Sequence, residues 1–254
     1  MINVYKFVAK HRTLILYPLT VIECIVAMAL IISVELIRRE AIVVCALILI
    51  INSLAVNHSF SRIVKEILDQ RKGGDPNYAI ALSDEMLSVK HPPHIRAPLI
   101  LNKCVFLRDM GRFDAALDIL LGVDADELAP VHTFLLYNNV SDVYSAMGNM
   151  AKAEEYYLLA KEHFDAIPEG KLKDHYSILI PLSGADIHIL KGEYRAAIEC
   201  AQRVPEKKRE FNYHSVMARA LIGTGDTDGA REHYNKMLES GYSNIEIEEI
   251  SRLL

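Results

Sequence analysis

The sequence predicts an all-α protein in two parts, a two-span transmembrane helical hairpin followed by an α-solenoid of about five helix–turn–helix repeats. Three observations predict it. Apolar residues make up 51% of the 254 positions, and most of the excess lies between residues 13 and 59. Downstream, a glycine followed five residues later by an alanine recurs as Gly74 with Ala79, Gly111 with Ala116, Gly148 with Ala153, Gly192 with Ala197, and Gly225 with Ala230. Ahead of these glycines the apolar residues keep a helical period, as in Leu136, Val140 and Tyr144 before Gly148.

The hairpin comes first. From Leu14 to Ile37 the chain is apolar except at Tyr17, Pro18, Thr20, Glu23, Ser33 and Glu35. A helix over that stretch is about 36 Å long, enough to cross a bilayer with some tilt. A second apolar run, Ala41 to Val56, is about 24 Å long and short for a span, so either Asn57 to Phe60 complete it or the bilayer thins locally. The spans are placed at about 14–37 and 41–58, within a first domain of residues 1–59. Two buried core helices are the alternative, but nothing else in the chain is apolar enough to wrap them. A secretory signal is also weighed, from Lys6, Lys10 and Arg12 ahead of Ala27-Met28-Ala29. The apolar run continues past that site and a second follows, and Glu23 before Cys24 does not fit a lipoprotein cleavage box.

Flanking charge sets the orientation. Lys6, Lys10 and Arg12 precede the first span, and Arg62, Lys65, Arg71 and Lys72 follow the second, against Arg38 and Arg39 in the loop. Both ends are therefore expected on the cytoplasmic side of an inner membrane, with the solenoid cytoplasmic. An acid within a span needs a partner. Antiparallel helices turning near Arg38 place Glu23 within a turn of Asn52, so these two are expected as an intramembrane polar pair bonded across the hairpin.

Charge and cysteine usage narrow the function. Beyond His58 the chain carries 23 basic against 30 acidic side chains, a poor electrostatic match for nucleic acid. Cys24, Cys45, Cys104 and Cys200 form no C-x-x-C pair, so neither a disulfide framework nor a zinc site is expected. GTGDTDG at residues 223–229 follows a helical pattern rather than a strand, which removes the context a dinucleotide loop needs. In HPPHIRAP, two prolines between His91 and His94 rule out helical ligand spacing. Cys200 with His188 is read as packing. No catalytic residue, metal site or cofactor is expected, and the chain is not expected to be an enzyme.

The solenoid comes second, over residues 60–254. Its turn segments read GRFDAALDIL, GNMAKAEEYYLLAKEHF, GEYRAAIECA and GDTDGAREHYNKM, and the glycines stand 37, 37, 44 and 33 residues apart. The glycine ends one helix in a left-handed conformation. The alanine marks where two helices cross too closely for a larger side chain. This pattern resembles the tetratricopeptide-repeat family from about Phe60 to Glu239, most clearly in YNNVSDVYSAMGNMAKAEEYYLLAKEHFD. The first repeat departs from it with Pro76 and the doubled Gly73-Gly74, and no tryptophan occurs anywhere. Pro181 is expected to kink the first helix of the fourth repeat. Residues 243–254 are expected as a final helix capping the last repeat.

The resemblance implies a protein or peptide partner received by the concave face. In the family's register, Leu101, Arg108, Asn138, Asp142, Asp186, Ser215 and Arg219 face that groove. A membrane-anchored scaffold is the first expectation. The second is an accessory subunit of a membrane transport or secretion complex, in which the hairpin makes the specific contacts.

Overall fold

The computed structural model describes residues 2–11, 21–22, 25–26, 38–242 and 244–254. Among them, regular structure is helical, apart from one isolated antiparallel bridge between Lys72 and Tyr242. The chain divides into two compact units, residues 1–67 and 68–254.

The first unit holds α1 (Ile2–Lys10) and most of α2 (Arg38–Asp69). α2 is a single helix, so residue 60, where the sequence places the start of the solenoid, falls inside it. Between residues 46 and 54 α2 exposes apolar side chains on every side, among them Leu47, Ile48, Leu49, Ile50, Ile51 and Leu54, and Val43 is exposed ahead of them. Its residues Ala46–Asp69 are long and apolar enough to cross a membrane. Asn52 lies half-buried on this helix. Glu23, its expected partner, and most of the first expected span lie outside the described residues.

The second unit is a stack of helical hairpins. α3 (Pro76–Leu87) is followed by α4 (Pro93–Asp109) with α5 (Phe113–Leu121), and by α6 (Pro130–Ala146) with α7 (Met150–Asp165). After the short α8 (Lys171–Tyr176) come α9 (Leu179–Leu190) with α10 (Tyr194–Ala201), then α11 (Phe211–Thr224) with α12 (Thr227–Glu239), and finally α13 (Ile245–Leu253). Each second helix also packs on the first helix of the next hairpin, and α4, α6, α9, α11 and α13 pack on one another in sequence. These five helices therefore line one side of the stack.

The repeated glycine-and-alanine signature has the structural meaning its spacing suggests. Gly111, Gly148, Gly192 and Gly225 all take φ between 72° and 83°. The amide after each donates back to the carbonyl five residues earlier, as Asn149 does to Tyr144 at 2.9 Å, which closes the helix end. The five alanines Ala79, Ala116, Ala153, Ala197 and Ala230 are each 0% exposed, with no room for another methylene. In the first repeat, Gly73 and not Gly74 has the left-handed φ, at 68°, so its turn is one residue longer than the expected spacing. Helix starts are capped by Asp75, Asn149, Asp226 and Asn244, each accepting from a backbone amide two or three residues on.

Pro181 does not kink a long helix. It stands in the first turn of α9, and the break lies between Tyr176 and Leu179. A proline cannot donate to the carbonyl four residues back, here Ser177, so the helix ends there and restarts. The expected capping helix is α13. Its Ile250, fully buried, packs with Phe211, Ala218 and Met237, and Ile247, Leu254 and Tyr242 pack around them.

Candidate functional site

The inner helices bring most of the expected groove residues together. Asp142, Asp186 and Arg219 each stand six residues before their turn glycine, so they occupy equivalent positions on α6, α9 and α11. Asn138 lies one turn before Asp142, and Arg108 closes α4. Arg108 bonds Asp142 at 3.1 Å and Asp109 at 2.8 Å. Asp109, almost fully buried, also receives Arg71 at 2.9 Å. Asn138 donates to Asp142 at 3.1 Å, and Ser183 donates to its other oxygen at 2.8 Å. Arg219 pairs with Asp186, and Ser215 donates to Glu246 on α13. Leu101 is buried, 6% exposed, and takes no part in the polar set.

The register pointed to six members of this network and missed Arg71, Asp109, Ser183 and Glu246. Arg71 and Asp109 lie 38 residues apart, about one repeat, which is the signal that links them. Ser183 is one residue beyond the groove-facing position of its repeat. Glu246 follows the last repeat, where no glycine-and-alanine pair sets a register.

The groove is narrow and filled by its own side chains. A cleft there is lined by Arg108, Asp142, Ser145, Asp186, Asn212, Arg219 and Glu246. The C-terminal segment reaches across to the first repeats. Tyr242 bridges to Lys72, and the Arg71 guanidinium lies 5.1 Å from the Tyr242 ring centre. A Cβ on Gly111 would meet Ile245 Cδ1 at 2.7 Å. The solenoid's two ends are thus in contact, and α13 covers one mouth of the groove.

Three guanidinium groups and four carboxylates crowd this space, and burial is the largest single influence on Asp142, Asp186 and Arg108. Burial raises the Asp142 carboxyl even though Arg108 and Ser183 oppose it. Burial pushes the Asp186 carboxyl up to about 6, with Asp142 and Glu246 adding repulsion and Arg219 opposing. Burial disfavours the charge on Arg108, yet Asp109, Asp142 and Glu246 around it hold the guanidinium more firmly protonated than usual. The Nε of Arg219 is buried with no hydrogen-bond partner among the described residues.

A second titratable pair lies on the last hairpin, where His214 Nδ1 and His233 Nδ1 are 2.9 Å apart. Burial and the neighbouring His214 bring His233 down to about 4. Only one of the two facing nitrogens can carry the hydrogen of that bond, so the other accepts it.

The histidines and cysteines weighed in the sequence are dispersed. His91 is buried with its Nε2 2.9 Å from the Met86 carbonyl, and His94 is exposed. His188 pairs with Glu193 at 2.6 Å, and burial raises the Cys200 thiol. No group of three or more metal-ligating side chains occurs among the described residues.

Residues 135–162, which cover most of α6 and α7, match the tetratricopeptide repeat family. No curated protein and no solved structure gives a significant match to the chain.

Proposed function

We propose that this chain is a membrane-anchored scaffold that binds a protein or peptide partner through its repeat solenoid and has no catalysis of its own. The repeat match over residues 135–162, set in a stack of like hairpins, carries the binding role. The domains are residues 1–59 as the anchor and 60–254 as the solenoid. The partner engages the groove residues Arg108, Asn138, Asp142, Asp186, Ser215 and Arg219, beside Leu101. A partner carboxylate would replace Glu246 at Ser215, and a carbonyl oxygen would satisfy the open Nε of Arg219.

The anchor reading is supported by α2. A helix that exposes apolar side chains around its full circumference is stable only in an apolar surrounding. A two-span hairpin is supported by the contact that α1 makes. Tyr5 of α1 meets His58 edge-on with ring centres 5.8 Å apart, while α2 begins at Arg38. His58 stands about 30 Å along α2 from its start at Arg38, roughly the hydrocarbon thickness of a bilayer. The polar pair Glu23 and Asn52 is proposed to lie within that hairpin.

Photocrosslinking in the native membrane tests the groove. A benzophenone side chain at Ser145 or Asn212, both lining the cleft, should capture a partner that the same group at Leu158, exposed on α7, does not. Capture from position 158 alone would place the partner on the outer helices and remove the groove from the function.

A further inference from the structure

We infer that α1 is an interfacial helix whose free face lies in the headgroup layer of an anionic bilayer. This role rests on the membrane anchoring proposed above.

The helix has three distinct sides. At about 100° per residue, Tyr5, Val8 and Ala9 share one side. Ala9 is 1% exposed, and Tyr5 meets His58 and lies under Arg62, whose guanidinium is 5.8 Å from the ring centre. That side holds α1 to α2. Val4 and Phe7 share a second side, three residues apart, and are 64% and 60% exposed. Lys6 and Lys10 form the third. Residues 2–11 contain two lysines, one histidine and no acid.

The position of α1 along α2 decides what meets the apolar side. Leu54, 62% exposed, is the last strongly exposed apolar side chain of α2 before the polar Asn57 and His58 and the charged Arg62, Lys65 and Glu66. His58, where α1 docks, is one helical turn further on, about 6 Å along the axis. α1 is thus attached where hydrocarbon gives way to headgroups, and Val4 and Phe7 continue the exposed apolar surface of α2. Exposed Arg62 and Lys65 on α2 add to the basic side of the same level. An apolar face beside Lys10 and the exposed Arg62 and Lys65 at this depth fits anionic phospholipid, with the basic stems bending toward phosphate.

The chain contains no tryptophan, so one introduced residue reports its own surroundings. Three single variants of the full chain, Phe7→Trp, Leu49→Trp and Leu172→Trp, are reconstituted into vesicles of neutral phosphatidylcholine or of phosphatidylcholine with phosphatidylglycerol. Quenching is read with lipids brominated near the headgroup or deep in the acyl chain. Residue 7 should be quenched by the shallow bromines and emit at shorter wavelength, more strongly in anionic vesicles. Residue 49 should be quenched by the deep ones, and residue 172 by neither. Adding Lys10→Gln and Lys65→Gln to Phe7→Trp should weaken its quenching in anionic vesicles. If residue 49 is unquenched, the membrane anchoring itself falls. If residue 49 is quenched and residue 7 behaves like residue 172, the anchoring stands and α1 is not a lipid contact. Equal quenching of residue 7 in both vesicle types, unmoved by the lysine changes, would overturn recognition of anionic lipid.

Discussion

At the scale of single residues, small side chains and buried charges do most to define this solenoid. Ala153 is 0% exposed where α6 and α7 cross, and Ser141 donates to its carbonyl at 2.8 Å across the same hairpin. Ala153→Leu should destabilise a fragment of residues 60–254 by about 1–3 kcal/mol, read by chemical denaturation, because the helices must separate to admit it. A neutral result would contradict the close crossing. Two groups with opposite linkage set the pH dependence. Asp186 has its carboxyl raised to about 6 in the fold, so the folded state holds that proton more tightly than the unfolded chain. Its contribution is fully present below the ordinary carboxylate pKa and is lost as pH rises through about 6. His233 is lowered to about 4, so the unfolded chain binds the proton more tightly. Its contribution is present above the ordinary imidazole pKa and is lost as pH falls toward about 4. Each contributes on the order of 1–3 kcal/mol, with opposite sign over much the same window. Asp186→Asn should leave a fragment that loses stability between pH 7 and 5, and His233→Gln one that gains it. The same slope in both variants would show that these groups do not titrate as their surroundings imply.

At the scale of elements, what was legible in the sequence was whatever repeats. The glycines and alanines recur at the period of the hairpins, so they gave the turns and the crossings, and the register of the resembled family pointed to six residues of the polar network. The capping helix followed from the need to cover a last apolar face. Other features depend on distances between repeats, which no local pattern carries. The return of Tyr242 to Lys72 and of Ile245 to Gly111 spans most of the unit and depends on how far each hairpin rotates past the last. Glu246 is a first-turn acid of α13 that no repeat spacing marks, although it bonds Ser215 inside the groove. Pro181 misled for a different reason: proline ends helices as readily as it bends them, and the preceding KLKDHY makes a short helix of its own. The closure itself is open to test. Gly111→Val adds a Cβ against Ile245 and a β-branched side chain at φ +73°. It should release α13, so amide protection across residues 245–253 should fall while that of α6 and α7 persists. Unchanged protection in α13 would mean that the last repeat alone holds it.

At the scale of the whole molecule, the two units differ in the solvent each requires. Residues 68–254 bury apolar faces hairpin on hairpin, so the fragment 60–254 should be soluble without detergent and melt cooperatively by circular dichroism. Residues 1–67 expose apolar side chains along α2, so the full chain should partition with membranes. In the anchoring proposed above, the side of the membrane rests on two independent arguments. Tyr5 touching His58 requires the start of the chain and the far end of α2 to lie on one face of the bilayer, whichever face that is. The seven basic residues flanking the proposed spans, against two in the loop, are then expected to select the cytoplasmic face. Single cysteines added before Met1 and after Leu254 can be probed in intact cells with a membrane-impermeant thiol reagent, in a background with the four native cysteines replaced. Both should react only after permeabilisation, whereas one placed beside Arg39 should react before it. Reaction of both terminal cysteines in intact cells would keep the two-span hairpin and invert its orientation. Reaction of one terminus alone would mean an odd number of crossings, and Tyr5 could not then rest against His58.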